Sequence, residues 1–307
     1  MQRRLGSDWQ LQARMAFTMI LLALVYLVFS IVLYRAGAGI VTIGVIVAGL
    51  ALAQYYYSDR LVLLTTRARV VGDNELPHVQ DILARLSAMA DIPKPRLALI
   101  QSPMPNAFAT GRDPQHAVVA VTSGLMHTLS EPELEAVLGH ELTHVRNRDV
   151  AVMAMASFFS TIAAWLSQSL LFMGMGFGGG LGGGRRRGGD SLGMVLVVSW
   201  LVYLISFLLI MALSRYREYA ADRGSALLTG QPGNLASALL RISGTMDRVP
   251  TRDLRQAATH NALFILPAAV GRQGAMELFQ THPSLQHRLA RLRQIELELA
   301  GAGAHRR

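Results

Sequence analysis

Residues 135–144, Glu135-Ala136-Val137-Leu138-Gly139-His140-Glu141-Leu142-Thr143-His144, set two histidines four positions apart with a glutamate directly after the first. Ahead of them, Ser130 followed three positions later by Glu133 is a capping-box pattern, which predicts that a helix begins there. On a helix, residues four apart lie one turn apart on the same face, so both imidazoles can reach one ion. Zinc suits such a set, because two imidazoles plus one carboxylate leave a fourth, water-bearing position open. Glu141 lies on the flank of that face, where its carboxylate can take a proton from the bound water, so it is expected as a general base and not as a ligand. Two plainer readings compete. Chance alone places these residues at this spacing in on the order of one chain per hundred, and a buried histidine pair can be satisfied by its own neighbours.

A third ligand has to come from elsewhere in the chain. Ser214-Arg215-Tyr216-Arg217-Glu218-Tyr219-Ala220-Ala221-Asp222 supplies a candidate, with Glu218 and Asp222 on one helical face. In that arrangement Glu218 binds the metal while Asp222 accepts an imidazole N–H and fixes the tautomer of a ligating histidine. The alternative is a solvated charged turn in which Arg215 or Arg217 pairs with these acids.

The rest of the chain places this chemistry beside a membrane. Of 307 residues, 51% are hydrophobic and 16% charged, which is too apolar for an ordinary soluble enzyme yet leaves enough polar sequence for one extramembrane domain. The formal net charge of +9 is carried almost wholly by arginine, Lys94 being the only lysine. Because the arginines cluster beside apolar runs and no nucleic-acid-binding motif is present, the expected partner is lipid head groups and not nucleic acid. With no cysteines, disulfides, thiolate ligands and cysteine nucleophiles are excluded. Compartment is not decided by that absence.

Met15 to Leu33 carries no charge and matches the ~20 residues of a spanning helix, longer than the roughly 7–15 of a cleavable signal core. Gly37 to Ala53 follows after almost no loop, with Tyr55, Tyr56 and Tyr57 at its exit where an aromatic belt would sit. A third run extends from Val150 to about Gly176, and a fourth from Leu192 to Leu213 after a glycine-rich loop around Arg185, Arg186 and Arg187. Either about four spans, or two spans and a hairpin, fit this pattern. The arginine balance favours a cytoplasmic enzyme domain, with the three-arginine loop in conflict with that side.

Between and after these runs the composition is soluble. Leu76, Val79, Ile82, Leu83, Leu86 and Met89 recur at helical spacing up to the Pro93-Lys94-Pro95 turn. Arg96 to Ile100, Asn106 to Thr110 and Ala117 to Thr122 are short β-prone runs, the last two joined by a hairpin signal at Gly111, Asp113 and Pro114. Further helices are expected near Asn234 to Met246 and Ser284 to Leu299. The chain thus divides into an N-terminal transmembrane hairpin (1–57), a first catalytic part (58–149), a second transmembrane pair (150–213) and a second catalytic part (214–307). His78, His116, His127, His260, His287 and His305 share no helical face with a matching partner and are expected to be surface or structural residues.

His140-Glu-Leu-Thr-His144, a membrane pair and then Arg217-Glu218-Tyr-Ala-Ala-Asp222 together resemble the HtpX-like membrane zinc metallopeptidases, relatives of the CAAX prenyl proteases. The resemblance extends to Asn106-Ala107-Phe108-Ala109-Thr110-Gly111 and to His282-Pro283-Ser284 with Arg288, and so covers most of the chain from about Leu76. It implies an α+β zincin-like domain with a small antiparallel sheet, tethered by helical membrane segments. One zinc ion per chain would be held by His140, His144 and Glu218, with Glu141 activating water. Asn106, Ala107, Phe108 and Ala109 look like the family's active-site edge strand, which would pair with an extended substrate; a plain hairpin strand is the alternative. For His282 and Arg288 the resemblance implies a part near the reacting carbonyl or oxyanion, against a simple cap on the last helix. The implied activity is endoproteolysis of membrane or membrane-associated proteins in quality control, at a bacterial inner (plasma) membrane. A prenyl-protein endopeptidase and an inert membrane scaffold are the rivals. Physiological substrate and oligomeric state are not legible.

Overall fold

The computed structural model of the chain describes residues 9–35, 62–154, 189–246 and 282–304, with isolated positions between them. The uncharged run after Arg14 forms most of α1, Trp9–Arg35. The fourth apolar run forms the first half of α5, Gly189–Thr229, a continuous helix of 41 residues. At 1.5 Å per residue that helix is about 60 Å long, twice the ~30 Å bilayer core. Its apolar half therefore suffices to span, and its second half, from Arg215 onward, belongs to the polar domain. The boundary expected at 213/214 falls inside this one helix.

Two helices among the described residues are long and apolar enough to cross a membrane, one from Trp9 and one from Gly193. They pack on each other through Leu22, Tyr26 and Phe29 of α1 and Val195, Val202, Ile210 and Met211 of α5. Their other faces leave Phe17, Ile20, Leu24, Leu27, Met194, Val197, Trp200 and Leu208 exposed. An apolar surface of that extent is stable against lipid and not against water. The run from Gly37 to Ala53, most of the run from Val150 to Gly176 and the arginine-glycine loop lie outside the described residues.

The polar domain is built on a four-stranded sheet: β1 (Arg69–Val70), β2 (Arg96–Ile100), β3 (Ala107–Thr110) and β4 (Val118–Thr122), in the order β1-β2-β4-β3. The sheet is mixed, not the antiparallel one expected. β2 and β4 run parallel from Arg96↔Val118 to Ile100↔Thr122, whereas β1/β2 and β3/β4 are antiparallel. The hairpin at Gly111 does form, but β4 folds back between β2 and β3, which leaves β3 on the edge. The reason lies in β4 itself: all five of its residues are buried, which suits a central strand covered on both faces. One face, with Leu97, Ala107, Val119 and Val121, joins the main core; the other packs Ala98, Phe108, Val118 and Ala120 under Val62, Leu63 and Ala68.

Helices cover the main-core face. These are α2 (Pro77–Ala90), the short α3 (Ser123–Thr128), α4 (Glu131–Arg146), α6 (Pro232–Met246) and α7 (Leu285–Ala304). The periodic apolar residues of α2 (Val79, Ile82, Leu83 and Leu86) are buried there with Leu134, Val137, Leu138 and Leu142 of α4. α4 is thereby wedged between the sheet and α5, and nearly every residue of its second half is buried.

Candidate metal centre

The capping box forms as expected: the Glu133 carboxylate accepts from the Ser130 backbone N–H at 2.8 Å and from its hydroxyl at 2.7 Å. α4 then carries His140 and His144 one turn apart, their rings edge to face with centroids 4.8 Å apart. α5 delivers Glu218 to the same point. Its Oε2 lies 3.6 Å from His140 Nε2, its Oε1 lies 3.5 Å from His144 Nε2, and the two Nε2 atoms are 3.2 Å apart. An ion bonded tetrahedrally at about 2.0–2.2 Å requires ligand atoms about 3.3–3.6 Å from one another, so these three donors fit a zinc-sized ion. Among the described residues they form the one cluster able to hold a metal. Glu218 and His140 are almost wholly buried, which a carboxylate beside imidazoles tolerates when a cation is shared among them.

The helices must approach closely for this to happen. A Cβ on Gly224 of α5 would lie 2.3 Å from the Thr143 side chain of α4, so only glycine allows the crossing distance. Beside it, the Ser225 hydroxyl donates to the Ala136 carbonyl at 2.6 Å and ties the helices together.

Behind each histidine stands a carboxylate. His140 Nδ1 lies 3.0 Å from Asp222 Oδ1, the pairing expected from the sequence. His144 Nδ1 lies 2.5 Å from Asp149 Oδ2, a residue that sequence reasoning missed. Burial on its own would lower the His140 pKa, but the Asp222 and Glu218 carboxylates outweigh it and raise the metal-free imidazole to about 9.

Arg288 is completely buried, and each nitrogen of its guanidinium makes a hydrogen bond. Nε and Nη2 donate to the two oxygens of Asp222 at 2.9 and 2.6 Å, and Nη1 donates to the Ile265 carbonyl at 2.8 Å. The neighbouring acids hold the Arg288 pKa above the usual value. Ile265 in turn donates its N–H to Asn106 Oδ1 at 3.0 Å. The Asn106 side-chain oxygen is therefore tied inward. A buried chain of hydrogen bonds runs from Asn106, just ahead of β3, through Ile265 and Arg288 to Asp222, whose Oδ1 lies 3.0 Å from His140 Nδ1. His282 is buried with Nδ1 3.3 Å from Glu218 Oε2, at the metal cluster and not at a helix cap alone.

Glu141 is buried beside the cluster, and burial pushes its carboxyl pKa up; the imidazoles pull the other way, and a hydrogen bond from the backbone of Ala109 helps hold it ionised. That bond links the acid to β3, the free edge of the sheet. Ala107 and Phe108 turn their side chains into the two cores, so β3 has only backbone to offer along that edge. A small cleft opens between Ala109, Thr110 and Gly111 on one side and His144, Val145 and Arg148 on the other.

The model of peptidase family M48 matches residues 73–296, which takes in both histidines, Glu218, Asp222 and Arg288. A protease HtpX homolog of Moorella thermoacetica is 56% identical over 299 residues, covering 97% of this chain and 99% of the relative. Protease HtpX homolog 2 of Methanosarcina acetivorans is 52% identical over 300 residues, covering 98% and 100%. The crystal structure of S. mikatae Ste24p shares the fold, with a TM-score of 0.54 at 19% identity over 93% of this chain and 67% of that one. Identity above half along essentially the whole length, over a fold that brings the motif residues to one point, means that the chain belongs to peptidase family M48, among its HtpX-like members.

Proposed function

We propose that this metallopeptidase is an integral-membrane zinc endopeptidase that hydrolyses peptide bonds of membrane or membrane-associated proteins, acting in protein quality control. The observation that carries the reading is the convergence of His140, His144 and Glu218, whose ligand atoms all lie within 4.8 Å of one another. The buried Glu141 beside them completes it. In this reading the two imidazoles and Glu218 would hold one zinc ion. Zinc, when bound, lowers the pKa of water and polarises a carbonyl.

The remaining steps belong to the chain's own groups. Glu141, its pKa raised by burial, takes the proton of the attacking water and returns it to the leaving nitrogen. Asp222 keeps the Nδ1 proton on His140 so that Nε2 presents its lone pair. Arg288 and His282 hold Asp222 and Glu218 in place. The β3 edge pairs with an extended substrate through backbone hydrogen bonds, so recognition is weakly selective for sequence. The four apolar runs form about four membrane spans, with the catalytic domain at the cytoplasmic face of a bacterial plasma membrane.

The test compares wild type with Glu141→Gln, both purified in detergent with chelator present and then reloaded with zinc. Near one zinc per chain in both, with casein cleaved by wild type at least ~100-fold faster, is the expected result, since general-base contributions are typically 10²–10⁴-fold. Equal cleavage by the two would refute the mechanism, and equal inactivity would favour an inert scaffold.

A further inference from the structure

We infer that Asp149 and Arg217 are positioning residues for His144, forming a second Arg-Asp-His relay that orients this histidine toward the metal; the inference rests on the metal centre proposed above. The relay at His140 was legible in the spacing of Glu218 and Asp222. The one at His144 has no such signal, because its carboxylate lies beyond the helix that carries the histidine.

As a metal ligand, His144 has one way to satisfy both ring nitrogens. Nδ1 faces Asp149 Oδ2 at 2.5 Å and Nε2 faces Glu218 Oε1 at 3.5 Å. Only the neutral tautomer with its proton on Nδ1 donates to Asp149 and still offers the Nε2 lone pair to a cation. Asp149 is itself buried, 1% exposed, and a buried carboxylate needs partners. Arg217 supplies the charge, with Nε 3.2 Å from the same Oδ2.

How Asp149 reaches this place is also on view. α4 ends at Arg146, Asn147 caps it, and Arg148 adopts the left-handed conformation at φ 55°. For a residue with a Cβ that conformation is disfavoured, and here it turns the chain back so that Asp149 lies under His144. Arg217 precedes Glu218 on α5, so one turn of one helix delivers both the third ligand and the cation that anchors the relay. The two relays therefore differ in origin. Arg288 reaches Asp222 from the C-terminal helix, whereas Asp149 and Arg217 both sit where α4 and α5 meet the apolar runs. Asp149 also borders the cleft beside Ala109 and Gly111.

The experiment titrates cobalt(II) and zinc into the metal-stripped, detergent-solubilised full chain, for wild type, Asp149→Asn, Arg217→Gln and the double variant. Competition with a chelator gives the affinity, the visible cobalt bands report the ligand field, and the Tm of each metal-free form reports the fold. Asp149→Asn is expected to bind about 10–100-fold more weakly with shifted cobalt bands, as loss of a ligand's outer partner typically does. Arg217→Gln should act in the same direction, less strongly, and the double variant should be no worse than Asp149→Asn alone, because the arginine works through the aspartate. Metal-free Tm values within a few degrees of wild type separate positioning from a general loss of fold. Should Asp149→Asn not accumulate, Arg217→Gln, with partial recovery in Arg217→Lys, carries the same prediction. Affinity within twofold of wild type and unchanged cobalt bands in the single variants would overturn the relay, as would strictly additive effects that track a falling metal-free Tm. A wild type that takes up no cobalt would overturn the metal centre itself and the relay with it, a result distinct from a normal wild type beside an indifferent Asp149→Asn.

Discussion

In the proposed metal centre, His140 would couple proton binding, metal binding and stability at a single residue. Its metal-free pKa of about 9 lies above the ordinary 6.5, so the protonated ring stabilises the metal-free fold. That contribution is present in full below pH 6.5 and is lost as pH rises through about 9. A metal must displace the same proton, so zinc affinity should climb across this window by up to about tenfold per pH unit while the metal-free Tm falls. Chelator competition and thermal melts over that pH range check both slopes. An affinity indifferent to pH would show that His140 is not a ligand. Arg288 argues the same economy from another side. A guanidinium bound to both oxygens of Asp222 fixes that carboxylate behind His140.

Between elements, the decisive contact is the crossing of α4 and α5. Gly139 and Gly224 let the helices approach until Glu218 meets both imidazoles, and Thr143 fills the space a larger residue at 224 would need. Gly224→Ala would bring a methyl to 2.3 Å from a buried, β-branched side chain that cannot swing away, since its hydroxyl is bonded to Gly139 O at 2.8 Å. Overpacking of that kind costs about 1–3 kcal/mol, and it pushes Glu218 off the cluster. The variant should melt lower and bind zinc at least ~10-fold more weakly, by thermal melt and chelator competition. Loss of stability with unchanged affinity would place the closeness of the helices outside the metal site's requirements. The edge strand is held by a similar device: Asn106 pins the start of β3 to Ile265, and Ala109 reaches Glu141, so strand and base keep a common frame.

At the scale of the whole molecule, α5 joins membrane and catalysis in one rigid rod. Its first half packs on α1 among apolar residues, and its second half carries Arg217, Glu218 and Asp222 into the polar domain. The metal centre therefore sits within a few turns of the bilayer surface, which suits substrates that emerge from it. Four spans with a cytoplasmic domain predict that single cysteines placed at Asp73 and Glu298 label only from the cytoplasmic side, in a chain that has no cysteine of its own. A cysteine at Gly188 should label from the opposite side. Labelling of all three from one side would leave the later runs as a hairpin that does not cross.

Much of this protein could be read without its structure. Residue spacing along a helix is local geometry, so His140, Glu141 and His144, the capping box at Ser130, and the pairing of Glu218 with Asp222 were all legible. So were the apolar lengths that place α1 and α5 in a membrane. The direction of the β2/β4 pairing was not, because a short, wholly apolar strand has no alternation to mark its neighbours. Nor were Asp149, Arg217 as its partner, and Ile265, whose roles depend on a turn after α4, a helix crossing and a backbone carbonyl. What the chain encoded locally was the chemistry; which residues stand behind that chemistry was decided where helices far apart in sequence were pressed to one point.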